Sequence, residues 1–197
     1  MNLQKALESG MTYPEYRDFV HELATLNSNS GPEKTDALVN YTQLNDRRMK
    51  RWDKTFKLSE NTIQQLEQLH QKVTWLVLTE SWCGDASPSL PVMNKLSEVH
   101  PNLELKIILR DEYPELMDQF LTNGSRSIPK LIAIDSNSKE IIGEWGPRSQ
   151  KATQMVVEEK ATYGKLRPEF KEELQTFYNK DKGQDILADL LKLFALK

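Results

Sequence analysis

The chain has 197 residues, a formal net charge of −3, 38% hydrophobic and 28% charged residues, and one cysteine. This length predicts one domain with extensions, and the small net charge argues against nucleic acid or an anionic membrane as an obligatory partner. One cysteine excludes an intramolecular disulfide, and the first residues lack the apolar run of a secretory signal. We therefore expect a cytoplasmic protein with no membrane-spanning segment.

Apolar residues at spacings of three and four dominate the first part of the chain, with a turn-rich break at residues 27–32. This pattern predicts helices over residues 13–26, 33–55 and 59–71. We assign residues 1–58 to an N-terminal helical extension.

From residue 73 the pattern changes to short, β-branched apolar runs, which predict buried strands. A helix at 86–99 between strands at 73–79 and 103–109 indicates a parallel, right-handed βαβ unit. The later elements are predicted as a helix at 114–122, strands at 130–135 and 140–145, and a helix at 149–163. The connection between the strands at 130–135 and 140–145 is too short for a parallel crossover, so these two strands are predicted to form an antiparallel hairpin.

Residues 59–163 therefore form a predicted α/β core with a mixed central sheet flanked by helices. Two further helices, at 168–179 and 184–194, follow this core. We expect residues 164–197 to pack against it.

The segment Trp82-Cys83-Gly84-Asp85-Ala86 lies between the end of a predicted strand and the start of a predicted helix. A thiol there faces unpaired backbone N–H groups and the positive end of the helix dipole. Both stabilise a thiolate, so this position predicts a Cys83 pKa below the usual value of about 8.5. The negative charge of Asp85 acts in the opposite direction.

This loop, the proline eight residues after Cys83 (Pro91), and Ile128-Pro129 before an apolar strand resemble the thioredoxin family over roughly residues 59–160. The likeness is greater to a bacterial subgroup with long helical N-terminal extensions. The family has a second loop cysteine five residues before the helix proline, which is the position of Ala86. The resemblance implies a thioredoxin-like fold with a cis peptide bond before Pro129, close to Cys83.

In that family the first cysteine attacks a substrate disulfide and the second resolves the mixed disulfide. Ala86 cannot do so, and the resemblance therefore implies a single-thiol protein. Cys83 is its candidate catalytic residue, in thiol–disulfide exchange or glutathionylation. Glutathione, another low-molecular-weight thiol, or a partner protein would then release the mixed disulfide. Some single-thiol relatives bind an iron–sulfur cluster, which is a further hypothesis.

The alternative is a redox-inactive thioredoxin-fold binding or adaptor module, in which Cys83 is a small structural residue. Neither hypothesis needs a resident cofactor. His21, His70 and His100 lack metal-ligand spacing, so we expect no metal site. The basic stretch at residues 47–54 is more typical of a solvated helix face than of a nucleic-acid site.

The candidate substrate-binding residues around Cys83 are Trp82, Gly84, Asp85, Ile128 and Pro129. Two of them have structural alternatives, since Trp82 could simply pack against the loop and Asp85 could begin the helix as its cap.

Two charged residues near the motif also have two interpretations. Glu80 is either a proton acceptor for Cys83 or, more commonly for a glutamate, a solvated or ion-paired side chain. Arg126 either attracts an anionic thiol or is an ordinary surface arginine.

Overall fold

The computed structural model describes residues 3–68 and 70–194, so residues 1, 2 and 195–197 of the predicted extensions lie outside the described residues. The chain begins with helices α1 (Leu3–Ser9), α2 (Tyr13–Thr25), α3 (Asp36–Thr55) and α4 (Glu60–Glu67). Side chains cap three of these helices at Thr12, Thr35 and Ser59. Thr12 forms a reciprocal capping box with Glu15, whose carboxylate accepts the Thr12 N–H at 2.7 Å.

Four strands form the central sheet in the order β2-β1-β3-β4. They are β1 (Val73–Thr79), β2 (Leu103–Leu109), β3 (Lys130–Asp135) and β4 (Ile141–Trp145). Strand β1 pairs parallel with β2 and antiparallel with β3, and β3 pairs antiparallel with β4. The predicted parallel pair followed by a hairpin is therefore confirmed. Every residue of β1 is buried, as expected for a central strand covered on both faces.

Helix α5 (Ala86–Val99) connects β1 to β2, and a 3-10 turn at Arg110–Glu112 leads to α6 (Pro114–Met117). Helix α6 is shorter than the predicted 114–122 because the backbone tightens: Gln119 and Phe120 donate to carbonyls only three residues back. The last helices are α7 (Gln150–Tyr163), α8 (Pro168–Asp181) and α9 (Gln184–Lys192).

Helix α5 lies at the centre of the helical packing, since it contacts α3, α9 and strand β2. Its first eight residues are all buried, which accounts for its apolar and small side chains. Helix α9 contacts both α5 and α7 and buries Ile186, Leu187 and Leu190. Helix α8 contacts α7.

The N-terminal segment covers the outer edge of the sheet. Met11 and Ile107 exchange two backbone hydrogen bonds of 2.8 Å, which adds a bridge to the edge strand β2. Helix α1, which sequence periodicity did not predict, precedes this bridge and buries Ala6 completely. An edge covered in this way has fewer unpaired backbone groups for pairing with other chains.

Gly146 is a position where the fold requires glycine. Its φ is +113°, and a Cβ built there would lie 2.2 Å from the carbonyl oxygen of Pro129. Gly146→Ala should therefore lower the free energy of unfolding by roughly 3 kcal/mol or more, measured by urea denaturation.

The matched control is Gly124→Ala. Gly124 also has a positive φ of +74°, but a Cβ there would have no atom within 4 Å. This change should cost about 1 kcal/mol, from the backbone conformation alone. Equal costs for the two variants would contradict the close contact at Pro129.

Candidate functional site

The loop between β1 and α5 turns tightly, with the Cys83 N–H donating to the Glu80 carbonyl at 3.0 Å. This turn directs the Cys83 side chain toward the segment that precedes β3. The Cys83 Sγ donates to the Ile128 carbonyl oxygen at 3.3 Å. The Ile128–Pro129 peptide bond is cis, and a second cis bond, Gly146–Pro147, lies after β4. The structure therefore places Cys83 against the backbone before Pro129.

The thiol itself is covered, because Cys83 is only 6% exposed. Burial raises its pKa to about 12, and the negative charge of Asp85 acts in the same direction. The backbone N–H groups of Ala86 and Asp85 do face the sulfur and favour the thiolate, but their effect is smaller. The prediction of a lowered Cys83 pKa is therefore wrong: removing the sulfur from water outweighs the helix N-terminus.

Asp85 occupies the position before α5, but its side chain does not cap the helix. Instead it is 8% exposed and forms a 2.6 Å ion pair with Arg148. The Tyr178 hydroxyl donates to its other oxygen at 3.0 Å. Burial raises the pKa of Asp85, while Arg148 and Tyr178 oppose that shift by stabilising the carboxylate. Asp85 therefore stands at the N-cap position of α5, as predicted, but its side chain does not make the predicted capping hydrogen bond.

Helices outside the predicted core also contact this loop. The Gln175 side chain, from α8, donates to the Gly84 carbonyl at 3.1 Å. The Asn45 side chain, from α3, donates to the Ser81 carbonyl at 3.0 Å. Both extensions therefore pack against the loop that carries Cys83.

Glu80 is neither a solvated side chain nor positioned as a proton acceptor for Cys83. It is fully buried, and its carboxylate accepts hydrogen bonds from the Ser30 hydroxyl and, at 2.9 Å, from the Asp111 N–H. Burial raises its pKa. Ser30 also exchanges hydrogen bonds with Ser81, so Glu80 anchors the 27–32 turn onto the loop. Its contacts favour a structural role.

Trp82 is half-buried, with the Arg110 guanidinium 5.0 Å from its ring centre. A Cβ built on Gly31 would lie 3.1 Å from the indole nitrogen, so the 27–32 turn also covers this ring. These contacts account for Trp82 as a packing residue. Arg126 lies on the surface in a two-bond ion pair with Asp118, at 2.6 and 2.7 Å, as the surface-arginine interpretation expects.

Sequence reasoning missed Arg148, Gln175 and Tyr178, all of which contact the loop. Each lies more than 60 residues from Cys83 along the chain, and none belongs to a recognisable motif. Only the apolar residues of α8 that flank Gln175 indicated that this helix packs inward.

The variant Asp85→Asn tests how far the Asp85 carboxylate raises the pKa of the Cys83 thiol. The amide oxygen can still accept from Tyr178, but the negative charge that raises the Cys83 pKa is gone. The alkylation rate of Cys83 at about pH 8 should rise roughly threefold or more, because the thiolate fraction increases.

The control is Glu98→Gln, which removes a carboxylate at the far end of α5, where Glu98 pairs with Lys95. This variant should alkylate at the wild-type rate. An unchanged or slower rate in Asp85→Asn would contradict the electrostatic role assigned to Asp85.

Within residues 3–68 and 70–194, no group of three or more His, Cys, Asp or Glu side chains is arranged to hold a metal ion. In the same part of the chain, no helix combines the length and the apolar character needed to cross a membrane.

A family model described as Thioredoxin matches residues 31–164, more than half of the chain. Among solved structures, the chain is similar to the crystal structure of an HIV epitope scaffold, at 16% identity and a TM-score of 0.65, covering 99% of this chain and 98% of that one. It is also similar to a protein of unknown function from Pseudomonas aeruginosa, at 19% identity and a TM-score of 0.54, covering 90% and 96%. No curated protein matches the chain.

The two structural similarities concern the fold alone, because both identities are low. This chain's own structure adds the mixed four-stranded sheet, with the Trp82-Cys83-Gly84 loop following β1. With the match over residues 31–164, these features show that the chain belongs to the thioredoxin family.

Proposed function

We propose that this protein is a thioredoxin-fold binding or adaptor module that does not carry out dithiol exchange. The observation that carries this proposal is the state of Cys83, which is covered and has a pKa of about 12. The thiolate is the attacking species in disulfide exchange, and this thiol stays protonated at neutral pH. Because Ala86 replaces the second cysteine, the resolving group is also missing.

The partner we expect is a protein. The segment 121–127 leads directly into Ile128, and most of its residues are exposed. Leu121, at 40% exposure, is one of the few large apolar side chains at the surface of the described residues. An exposed segment beside a rigid sheet is a common place for a binding surface. A reducing cytosol suits this proposal, since one thiol can remain free there.

The test of the catalytic side of this proposal is insulin disulfide reduction, with a dithiol thioredoxin as the positive control. Wild-type protein should show no reduction. Ala86→Cys restores two loop cysteines, yet it should also stay inactive, because the sulfur at position 83 remains covered and protonated. Rapid reduction by Ala86→Cys would mean that the loop lacks only its second cysteine and would contradict the proposal.

The binding side is tested by affinity capture with wild-type protein and Cys83→Ser. A binding module should retain the same partners in both, since the buried thiol does not contact them. Loss of every partner in Cys83→Ser, with the fold intact by circular dichroism, would overturn the binding proposal.

A second candidate function is single-thiol exchange, and one observation favours it: the N–H groups of Asp85 and Ala86 face the Cys83 sulfur. The Cys83 thiolate would attack one sulfur of oxidised glutathione and form a Cys83–glutathione disulfide. The other glutathione leaves as a thiolate and takes up the proton that Cys83 lost. This step requires an uncovered sulfur.

Intact mass measurement after incubation with oxidised glutathione separates the two functions. The binding module gives no adduct, whereas single-thiol exchange gives one glutathione per chain. The iron–sulfur hypothesis gains no support from the contacts described, because a cluster would also need this covered sulfur.

A further inference from the structure

Helix α8 contacts the loop that carries Cys83 through two polar side chains. Gln175 donates to the Gly84 carbonyl at 3.1 Å, and Tyr178 donates to Asp85 at 3.0 Å. The residues contacted are the two that directly follow Cys83. We propose that α8 is a lid over Cys83, and that local opening of this helix, without unfolding of the core, exposes the thiol and the loop.

Helix α8 buries only a few of its side chains, which permits such an opening. Its buried side chains are limited to one stripe, formed by Phe170, Leu174 and Tyr178. Outside this stripe, the half-buried Phe177 also packs against the core, and the Lys171 ammonium donates to the Tyr41 hydroxyl at 3.1 Å. Segments with few buried apolar contacts open at a lower free energy than the core does.

Both ends of α8 are fixed to the rest of the protein. At its start, Arg167 makes two hydrogen bonds of 2.7 and 3.0 Å to Glu159 of α7. At its end, Lys182 and Gly183 adopt positive φ values of 55° and 75° and lead into α9, whose Ile186 and Leu190 are fully buried. Helix α8 can therefore leave the loop and return to the same place.

The consequence of opening concerns the sulfur directly. Burial is the largest cause of the raised Cys83 pKa, and the N–H groups of Asp85 and Ala86 act against it. Removing the cover weakens the burial effect and leaves these N–H groups in place. This inference goes beyond the proposed binding role, since it concerns access to the loop rather than what binds there.

The experiment is alkylation of the wild-type protein by iodoacetamide across low urea concentrations. A lid predicts a rate that depends only weakly on urea, because the opening exposes little surface. A rate that follows global unfolding at every urea concentration, with the same slope, would overturn the inference.

The variant Gln175→Ala/Tyr178→Phe removes both polar contacts and keeps the aromatic ring packed. It should raise the alkylation rate in the absence of urea about tenfold or more, since each lost hydrogen bond favours the open state. The control Glu172→Gln changes an exposed residue of the same helix and should leave the rate unchanged. An unchanged rate in a folded double variant would also overturn the lid.

These outcomes are independent of the proposed function. The alkylation measurements report on access to the sulfur whether or not a partner binds. Partner capture and insulin reduction report on the binding module whether or not α8 opens. If the double variant does not fold, the urea dependence of the wild-type alkylation rate still tests whether α8 opens without global unfolding.

Discussion

The ionisation of Cys83 depends above all on the burial of its sulfur atom. Cys83 lies at the start of a helix, where backbone N–H groups favour a thiolate, yet its pKa rises to about 12. Loss of hydration is the larger effect, and the nearby carboxylate of Asp85 adds to it. The thiol instead donates to the Ile128 carbonyl, a contact that only its protonated form can make.

Both helical extensions contact this loop and contribute to its burial. Asn45 of α3 and the turn around Ser30 hold the start of the loop, and Gln175 and Tyr178 of α8 hold its end. Buried acidic groups come with this arrangement, because the covered loop contains Asp85 and Glu80. Each of them is hydrogen-bonded, as the large majority of buried polar groups are.

Local sequence information was sufficient for the strands, the parallel pair and the hairpin, because each rests on a short run of residues or a short connection. The motif also placed Cys83 beside Ile128 and Pro129. The motif did not predict the raised pKa of Cys83, because the desolvation of the sulfur depends on which residues pack over the loop. Tyr178 and Arg148 reach Asp85 from distant parts of the chain, and no spacing rule links them to residue 83. Helix α1 was missed because seven residues are too few to establish a periodicity.

The central claim, that burial keeps Cys83 protonated, is tested most directly by ultraviolet titration of the thiolate. Subtracting the titration of Cys83→Ser from that of the wild type removes the tyrosine signal and leaves the single cysteine. The account predicts no thiolate absorbance at neutral pH and a midpoint far above the ordinary cysteine value, close to about 12. A midpoint at or below about 8.5 would contradict it.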